Sequence, residues 1–323
     1  MVSLVIIGGP TGSGKSALAL DLAERIGGAI VNADSMQQYR DLRILTARPT
    51  LAELRRAPHY LYGHLPAEKP GSVGQWLRQA TRVIDEIRNQ ERVPIVVGGT
   101  GLYLCALLKG IAAVPDVPSE IRLATSERFD ALGVPGFHEE LAKRDPEQAA
   151  LLEPGDRQRL IRAAEVLEAT GKSLIYWRSQ PRKRLLLPEP IVGVALMPPR
   201  AELHGRIEQR LQTMIDAGAL DELAALRAKN LSPDLPLMKA VAVPELLAHL
   251  DGRLDLITAV ERAAAKTRQY AKRQLTWLRH QLPELEPMEK FGDSPEAVIE
   301  PSVAVPLDLL TDPAIRHTVR STR

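Results

Sequence analysis

The sequence predicts an α/β fold in which a parallel sheet with flanking helices is interrupted by a helical insertion. Short apolar runs rich in β-branched residues are typical of buried strands, and they occur at 4–7, 29–33, 94–97 and 190–196. Amphipathic helical patterns lie between these runs, for example at Leu51–Arg56 and Val73–Asn89. After Gly110 a Pro-containing linker at 114–119 leads into a stretch with helical patterns only, which indicates the insertion.

These patterns also give the expected domain boundaries. We expect the first part of the core over residues 1–112, the helical insertion over 113–188 and the second part of the core over 189–288. From Pro283 onward the chain becomes Pro-rich and irregular, and 289–323 is predicted to be a flexible tail.

The bulk composition excludes some classes of protein. The 323 residues carry a formal net charge of only +2, so any nucleic-acid surface must come from local clusters of basic residues. Cys105 is the only cysteine, which excludes an intrachain disulfide and fits a cytoplasmic protein. No basic leader and no apolar run near the ~20 residues that span a bilayer is found. No oligomer signal is evident, and we expect a monomer.

A glycine-rich segment follows the first apolar run directly and leads into a helix. It consists of Gly9, Pro10, Thr11, Gly12, Ser13, Gly14, Lys15 and Ser16. Strand, glycine-rich turn, Lys-Ser and helix form a P-loop, which predicts a P-loop NTPase-like core. Its backbone amides can turn towards a phosphate, Lys15 can reach a terminal phosphate, and the Ser16 hydroxyl is the expected Mg²⁺ ligand. The motif is typical of ATP-binding proteins, but it specifies a diphosphate rather than a reaction.

Polar residues follow two further predicted strands. Asp34 comes after the second strand and Thr100 after the third, and in an open α/β sheet such positions line the ligand crevice. Three roles for Asp34 remain open: chemistry on a substrate, Mg²⁺ binding, or capping of the next turn. Thr100 stands where many ATPases and kinases have an acidic residue. It can hydrogen-bond a substrate or cap the following helix.

Basic residues are clustered on two further helices. Arg206 and Arg210 are spaced i, i+4, so both can face a diphosphate, although salt bridges with Glu202 or Glu208 are an alternative. Arg159 and Arg162 share a helix face, where a solvated ion-pair surface is the alternative to RNA contact.

The helix at 256–280 combines apolar, basic and aromatic residues. Its expected apolar stripe comprises Ile257, Val260, Ala264, Ala271, Leu275 and Leu278. Tyr270 and Trp277 fall near the outward basic face, and basic residues interleaved with aromatic ones suit phosphate contacts with base stacking. A solvated helix with a snorkelling tryptophan is the alternative.

Taken together, these stretches resemble the bacterial tRNA dimethylallyltransferases, also called tRNA isopentenyltransferases. The similarity runs from about Leu4 to about Leu282. The residues that carry it, besides the P-loop, lie at 34–39, 46–49, 98–100, 158–162, 206–210 and 272–279. The family often has Gly-Thr-Ala-Lys-Pro where this chain has Leu45-Thr46-Ala47-Arg48-Pro49. It often has Gly-Tyr after an apolar pair where this chain has Ala242-Val243, followed by Pro244.

The resemblance implies transfer of a dimethylallyl group from dimethylallyl diphosphate to the exocyclic amine of the adenosine just 3′ of the anticodon. It implies Mg²⁺, release of diphosphate, Asp34 as general base, Thr100 as a positioning group, and an insertion that closes on tRNA. The implied diphosphate site adds Arg122, by family position alone, and Arg210 to the P-loop. The implied tRNA contacts are Asp34, Ser35, Met36, Gln37, Thr100, Arg122, Gln158, Arg159, Leu160, Ile161, Arg162, Lys239, Lys272, Arg273, Trp277 and Arg279.

Three other functions fit parts of the pattern. A P-loop kinase for a small molecule and a P-loop ATPase acting as an RNA-binding switch are two of them, but this chain lacks the acidic residue expected at the strand end in both. A prenyltransferase for free adenine nucleotides would not need a basic, aromatic helix.

Overall fold

The computed structural model describes residues 3–182 and 187–289, which form two compact units. The first unit comprises the described parts of Met1–Leu108 and Leu186–Arg323, and the second comprises those of Lys109–Leu185. Apart from Glu289, the predicted tail lies outside the described residues. None of the helices in the described ranges is long and apolar enough to cross a membrane.

The first unit is built on a six-stranded parallel sheet, which confirms the predicted fold class. In chain order its strands are β1 (Leu4–Gly8), β2 (Ala29–Asn32), β3 (His59–Tyr60), β4 (Pro94–Gly98), β5 (Ile191–Leu196) and β6 (Glu286–Met288). The order across the sheet is β3-β2-β4-β1-β5-β6, and every pair of neighbours is parallel.

The edge strand β6 corrects the sequence analysis, which expected irregular structure from Pro283 onward. Its three residues pair with β5 from Val194–Glu286 to Leu196–Met288. A strand this short shows no alternation of polar and apolar residues, and a proline is tolerated there because an edge strand needs few ladder bonds.

Twelve helices surround the sheet or form the second unit of the described chain. They are α1 (Lys15–Ile26), α2 (Leu51–Arg56), α3 (Val73–Asn89), α4 (Gly101–Lys109), α5 (Ser119–Arg144), α6 (Pro146–Ala150), α7 (Arg157–Thr170), α8 (Leu174–Ser179), α9 (Arg200–Asp216), α10 (Ala219–Arg227), α11 (Val243–Leu250) and α12 (Leu256–Gln281). Both helices predicted from amphipathic patterns, α2 and α3, are confirmed. A capping box between Thr50 and Glu53 begins α2, and the Ser72 hydroxyl caps α3.

Each unit has a hydrophobic core of its own. In the first unit α1 packs on the sheet through Ala19, Leu20 and Ala23, and a second cluster joins α9 to α12. In the second unit, Phe129 and Phe137 of α5 pack against α7. Burying apolar surface separately in each unit explains why the chain divides there.

The sheet order brings the predicted site residues together. Strand β4 lies between β1 and β2, so the P-loop after β1, Thr100 after β4 and Asp34 after β2 leave the same edge of the sheet at adjacent positions. Ligands of open α/β sheets bind in the crevice at this edge.

Candidate active site

The P-loop has the backbone geometry of an anion cradle. Gly12 and Gly14 have φ angles of 82° and 83°, left-handed values that favour glycine, and α1 begins at Lys15. Within the described chain, the main-chain amides of Gly12, Gly14, Lys15 and Ser16 donate to no protein acceptor. Amides at a helix N-terminus without protein acceptors can bind a phosphate group.

Lys15 lies in this cradle among other charges. Its ammonium donates to the Pro10 carbonyl at 3.2 Å. Burial lowers the pKa of Lys15 from 10.5 to about 8, Asp34 opposes this shift, and Arg210 adds to it. Without a bound anion, a desolvated ammonium beside a second cation is unfavourable, and an anionic ligand would compensate both charges.

Two guanidinium groups of α9 lie at the same place. Arg206 approaches the loop, since its Nη1 lies 3.9 Å from where a Cβ on Gly14 would be. Burial lowers the pKa of Arg210, and Asp34 opposes this shift. Glu208, one alternative partner for these arginines, pairs with Arg268 at 2.5 Å.

Asp34 is held by a buried asparagine. The Asn32 side chain accepts from the Asp34 amide at 2.8 Å and donates to the Asp34 carbonyl at 2.9 Å. One carboxylate oxygen of Asp34 accepts from the Met36 amide at 2.9 Å. The capping role considered for Asp34 is therefore present, and it occupies only one of the two carboxylate oxygens.

The Thr100 hydroxyl faces the same loop rather than capping α4. It accepts from the Ser35 amide at 2.9 Å and lies 3.3 Å from the Ser35 hydroxyl. The Thr100 amide donates to the Ala33 carbonyl at 3.2 Å. The loops that follow β2 and β4 are thus joined directly beside Asp34.

Tyr270 of α12 completes this group, which corrects its predicted place near the outward basic face. Burial raises the pKa of the Tyr270 phenol and Asp34 raises it further, whereas Arg273 and a hydrogen bond with Thr100 oppose the rise. The Arg273 guanidinium lies 5.7 Å from the ring centre. The helical periodicity placed Tyr270 wrongly because other elements of the first unit pack against α12 on more than one side.

Several of these groups open onto a cavity of about 310 Å³ within the first unit. Asp34, Arg210, Tyr270 and Arg273 line its polar part. The apolar lining residues are Met36, Leu45, Ile207, Leu211, Met214, Pro236, Ala240, Val241 and Ala242. A cavity of this size and mixed character suits an organic group next to a charged one.

A small space beside Ser16 of the P-loop offers oxygen ligands for a divalent cation. Ser16, Gln37, Glu53 and Tyr62 line a space of about 30 Å³. Hydroxyl, amide and carboxylate oxygens are what Mg²⁺ prefers, and Mg²⁺ commonly takes few protein ligands together with substrate phosphates. The described residues contain no group of three or more His, Cys, Asp or Glu placed to hold a metal. The donor set fits Mg²⁺ bound jointly with a diphosphate.

Other predicted tRNA contacts in the first unit lie around the cavity or on α12. Ser35, Met36 and Lys239 line the cavity, and Lys239 pairs with Asp234 at 2.7 Å. The Gln37 amide donates to the Thr46 and Ala47 carbonyls, so it holds the next loop in place.

The C-terminal half of α12 is exposed at several of the predicted positions. Lys272 and Arg279 are exposed, and Trp277 is 38% exposed while packing against Gly101. Ile257 corrects the predicted apolar stripe, because it is 74% exposed near the start of the helix, where Ala259 faces the core instead.

The second unit carries the remaining predicted contacts. Arg122 is exposed on α5, and Gln158 and Arg159 are exposed on α7. Arg159 pairs with Asp156 and Arg162 pairs with Glu165, each at 3.2 Å, so the ion-pair alternative is present there.

The side chain of Leu160 offers no surface to a partner, and that of Ile161 is only partly exposed. The Leu160 side chain is fully buried with Phe129 and Phe137, and Ile161 packs against the same cluster. The exposed positions of α7 are therefore those available to a partner.

Three further residues support the site and were given no role from the sequence. Asn32 orients Asp34, Gln274 hydrogen-bonds the P-loop, and Glu222 binds the loop that contributes Leu45 to the cavity. Buried polar residues in apolar surroundings are the available signal for Asn32 and Gln274. Glu222 gives no such signal, because its partners lie 177 or more residues away.

The fold and the site define a P-loop α/β enzyme whose cationic loop lies beside a carboxylate and a hydroxyl. Comparison with known families agrees: the model described as IPP transferase matches residues 37–281, and the one described as isopentenyl transferase matches residues 2–62. The chain belongs to the IPP transferase family.

Relatives and solved structures support the same assignment. The chain is 52% identical to a tRNA dimethylallyltransferase of Rhodopseudomonas palustris over 87% of each chain. It is 48% identical to that of Nitrobacter hamburgensis over 94% of each chain. A tRNA isopentenylpyrophosphate transferase from Bacillus halodurans superposes with a TM-score of 0.66 at 31% identity, over 93% of this chain and 94% of that one. A eukaryotic dimethylallyltransferase acting on tRNA gives a TM-score of 0.74 at 26% identity, over 90% and 74%.

Proposed function

We propose that this enzyme transfers the dimethylallyl group of dimethylallyl diphosphate to the N6 amine of the adenosine 3′-adjacent to the anticodon in tRNA, releasing diphosphate. One observation carries the proposal: Asp34 lies in the cavity between the cationic diphosphate site and the Thr100 loop. Family membership and the names of the relatives support the substrate class.

The diphosphate of the donor binds at the P-loop. The diphosphate is held by the main-chain amides of Gly12, Gly14, Lys15 and Ser16. Together with the ammonium of Lys15 and the guanidinium of Arg210, they neutralise the charge that develops on the leaving oxygen. Gly9, Pro10 and Ser13 shape the loop, and family position alone adds Arg122 to the residues expected to bind the diphosphate. Mg²⁺, held through Ser16, would supply further positive charge to the departing diphosphate.

The reaction forms a bond between N6 of adenine and the allylic carbon while the bond from that carbon to the diphosphate oxygen breaks. The amine loses a proton as it attacks, and we assign its acceptance to the Asp34 oxygen that does not bind the Met36 amide. Thr100 and the phenol of Tyr270 hold the acceptor in position. The diphosphate leaves with the electron pair of the broken bond, so charge and atoms balance.

The tRNA is contacted by both units. The target base must leave its stack to reach the cavity, which suits an opened anticodon loop. Lys272, Arg273, Trp277 and Arg279 of α12 contact phosphates and bases, and Arg159, Arg162 and Gln158 of α7 belong to the unit that clamps the RNA. We expect the enzyme to act as a cytoplasmic monomer.

The proposal is tested by incubating the protein with labelled dimethylallyl diphosphate, Mg²⁺ and unmodified tRNA, followed by nucleoside analysis. Label on the adenosine next to the anticodon is the expected result. Parallel reactions contain free AMP as acceptor or ATP as donor. Label on AMP but not on tRNA would indicate a nucleotide prenyltransferase, and phosphate transfer from ATP would indicate a kinase.

A further inference from the structure

One buried glutamine joins two loops of the candidate active site. Gln274 of α12 is 5% exposed. Its side-chain oxygen accepts from the Thr11 amide at 2.9 Å, and its nitrogen donates to the Gly99 carbonyl at 2.8 Å. Thr11 belongs to the P-loop, and Gly99 immediately precedes Thr100. A single side chain therefore spans the gap between the diphosphate loop and the loop that carries Thr100.

Both hydrogen bonds require an amide side chain. The backbone of Thr11 presents a donor and that of Gly99 an acceptor, so the bridging group must both accept and donate. An ionised glutamate could only accept, and a methionine of similar length could do neither effectively. The fit is also steric, because a Cβ on Gly99 would lie 2.3 Å from the Gln274 nitrogen.

The same face of α12 fixes the helix to the sheet. Trp277 packs against Gly101, and Leu278 lies 3.1 Å from where a Cβ on Gly8 would be. Tyr270 and Arg273, on the preceding turn, line the cavity. The position of α12 is thus coupled to both loops through Gln274.

Building on the proposed prenyl transfer, we propose that Gln274 is a positioning residue that sets the distance between the donor diphosphate at the P-loop and the acceptor amine beside Asp34 and Thr100. It touches neither substrate. Because the Thr11 amide is committed to Gln274, the main-chain cradle for the diphosphate begins at Gly12. Without the bridge the two loops can move independently, which lowers the rate of reaction between bound substrates more than it weakens their binding.

The test compares Gln274→Met with the wild-type protein in single-turnover transfer, with donor and tRNA both saturating. We expect the rate to fall ~10–100-fold, while the Kd of each substrate changes by no more than about threefold. Gln269→Met is the matched control, because it makes the same substitution at an exposed position of α12. Ile84→Val in α3 controls for a modest loss of stability and should retain the wild-type rate below its Tm.

A second variant gives a measurement, the pH dependence of the rate, that would not change if Gln274 had a purely structural role. In Gln274→Glu the ionised carboxylate cannot donate to Gly99, but the protonated acid can restore both hydrogen bonds. Its rate relative to the wild-type protein should therefore rise as the pH falls through the pKa of the introduced acid, which burial beside a carbonyl raises.

Three results would overturn the proposal. They are a wild-type rate in Gln274→Met, a loss confined to substrate affinity, and a Gln274→Glu ratio that does not change with pH. A wild-type protein that transfers no prenyl group would overturn the proposed function and this inference together. The two failures are therefore distinguishable, because transfer by the wild-type protein is measured in the same series.

Discussion

At the scale of single residues, the charge state of Lys15 links the P-loop to the binding of its ligand. Desolvation lowers its pKa to about 8, so the ammonium begins to lose its proton just above neutral pH. The folded protein bears the unfavourable energy of this buried charge below pH 8. Stability should rise between about pH 8 and 10.5, where an unfolded Lys15 stays protonated and the folded one does not.

Donor binding should therefore weaken as the pH rises above 8. An anionic diphosphate stabilises the ammonium form, so binding takes up a proton where the free lysine is neutral, and affinity falls by up to about tenfold per pH unit. Calorimetry with an unreactive prenyl diphosphate analogue from pH 7 to 9.5 would measure this. The variant Lys15→Met lacks the titrating ammonium, so its affinity changes with pH only through the titration of the ligand. Parallel plots of affinity against pH for wild type and Lys15→Met would contradict the prediction.

Asp34 can be tested in a way that separates catalysis from binding. Asp34→Asn retains a carbonyl oxygen for the Met36 amide but removes the proton acceptor. Single-turnover transfer should fall by ~10²–10⁴-fold, the range typical of general bases, while both substrates bind within a few-fold of wild type. If donor affinity and rate fall together and added Mg²⁺ restores both, Asp34 holds the metal instead. An unchanged rate would remove it from the mechanism, provided that the variant is as stable as wild type.

At the scale of secondary structure elements, the sequence predicted what local periodicity determines. The central strands are confirmed because their continuous apolar runs are buried along the whole strand, and α3 is confirmed because its apolar residues repeat with the helical period and face one core. Tyr270 and Ile257 were misplaced because a helical projection does not include the neighbouring helices. Gln274 bonds Thr11, which lies 263 positions earlier in the chain, and Gly99, which lies 175 positions earlier. No local sequence pattern indicates contacts over such separations.

The loop before α2 depends on a carboxylate from a distant helix. Glu222 of α10 accepts hydrogen bonds from the amides of Arg43, Ile44 and Leu45. Glu222→Ala would leave these donors without their acceptor and should destabilise the protein by about 1–3 kcal/mol. Amide exchange at 43–47 should accelerate. Glu222→Gln keeps one acceptor oxygen and should therefore lose less stability than Glu222→Ala.

Thermal unfolding and hydrogen exchange would measure these effects, with Glu261→Ala as the control at an exposed carboxylate of α12. Equal exchange rates at 43–47 in Glu222→Ala and wild type would show that Glu222 does not hold the loop.

At the scale of the whole molecule, the charge is nearly balanced although the proposed substrate is a polyanion. A formal net charge of +2 supplies little long-range attraction, so tRNA affinity must come from where the cations are placed. The candidate active site also depends on where its cations lie, because Lys15 and Arg210 are close to each other at the P-loop rather than spread over the surface.

Two charge reversals on α12 can distinguish placement from total charge. Lys272→Glu and Arg262→Glu each replace one positive with one negative charge and change the net charge from +2 to 0, and both positions are exposed. They are ten residues apart, or about 15 Å along the helix axis. We expect Lys272→Glu to weaken tRNA binding and to lower the slope of log Kd against log salt by about one, because one phosphate contact is lost.

Arg262→Glu should leave affinity and slope close to wild type, and prenyl donor binding should not change in either variant. Filter binding at several salt concentrations would measure both quantities. Equal losses in the two variants would show that total charge controls RNA binding. A wild-type slope in Lys272→Glu would show that this part of α12 does not contact RNA phosphates.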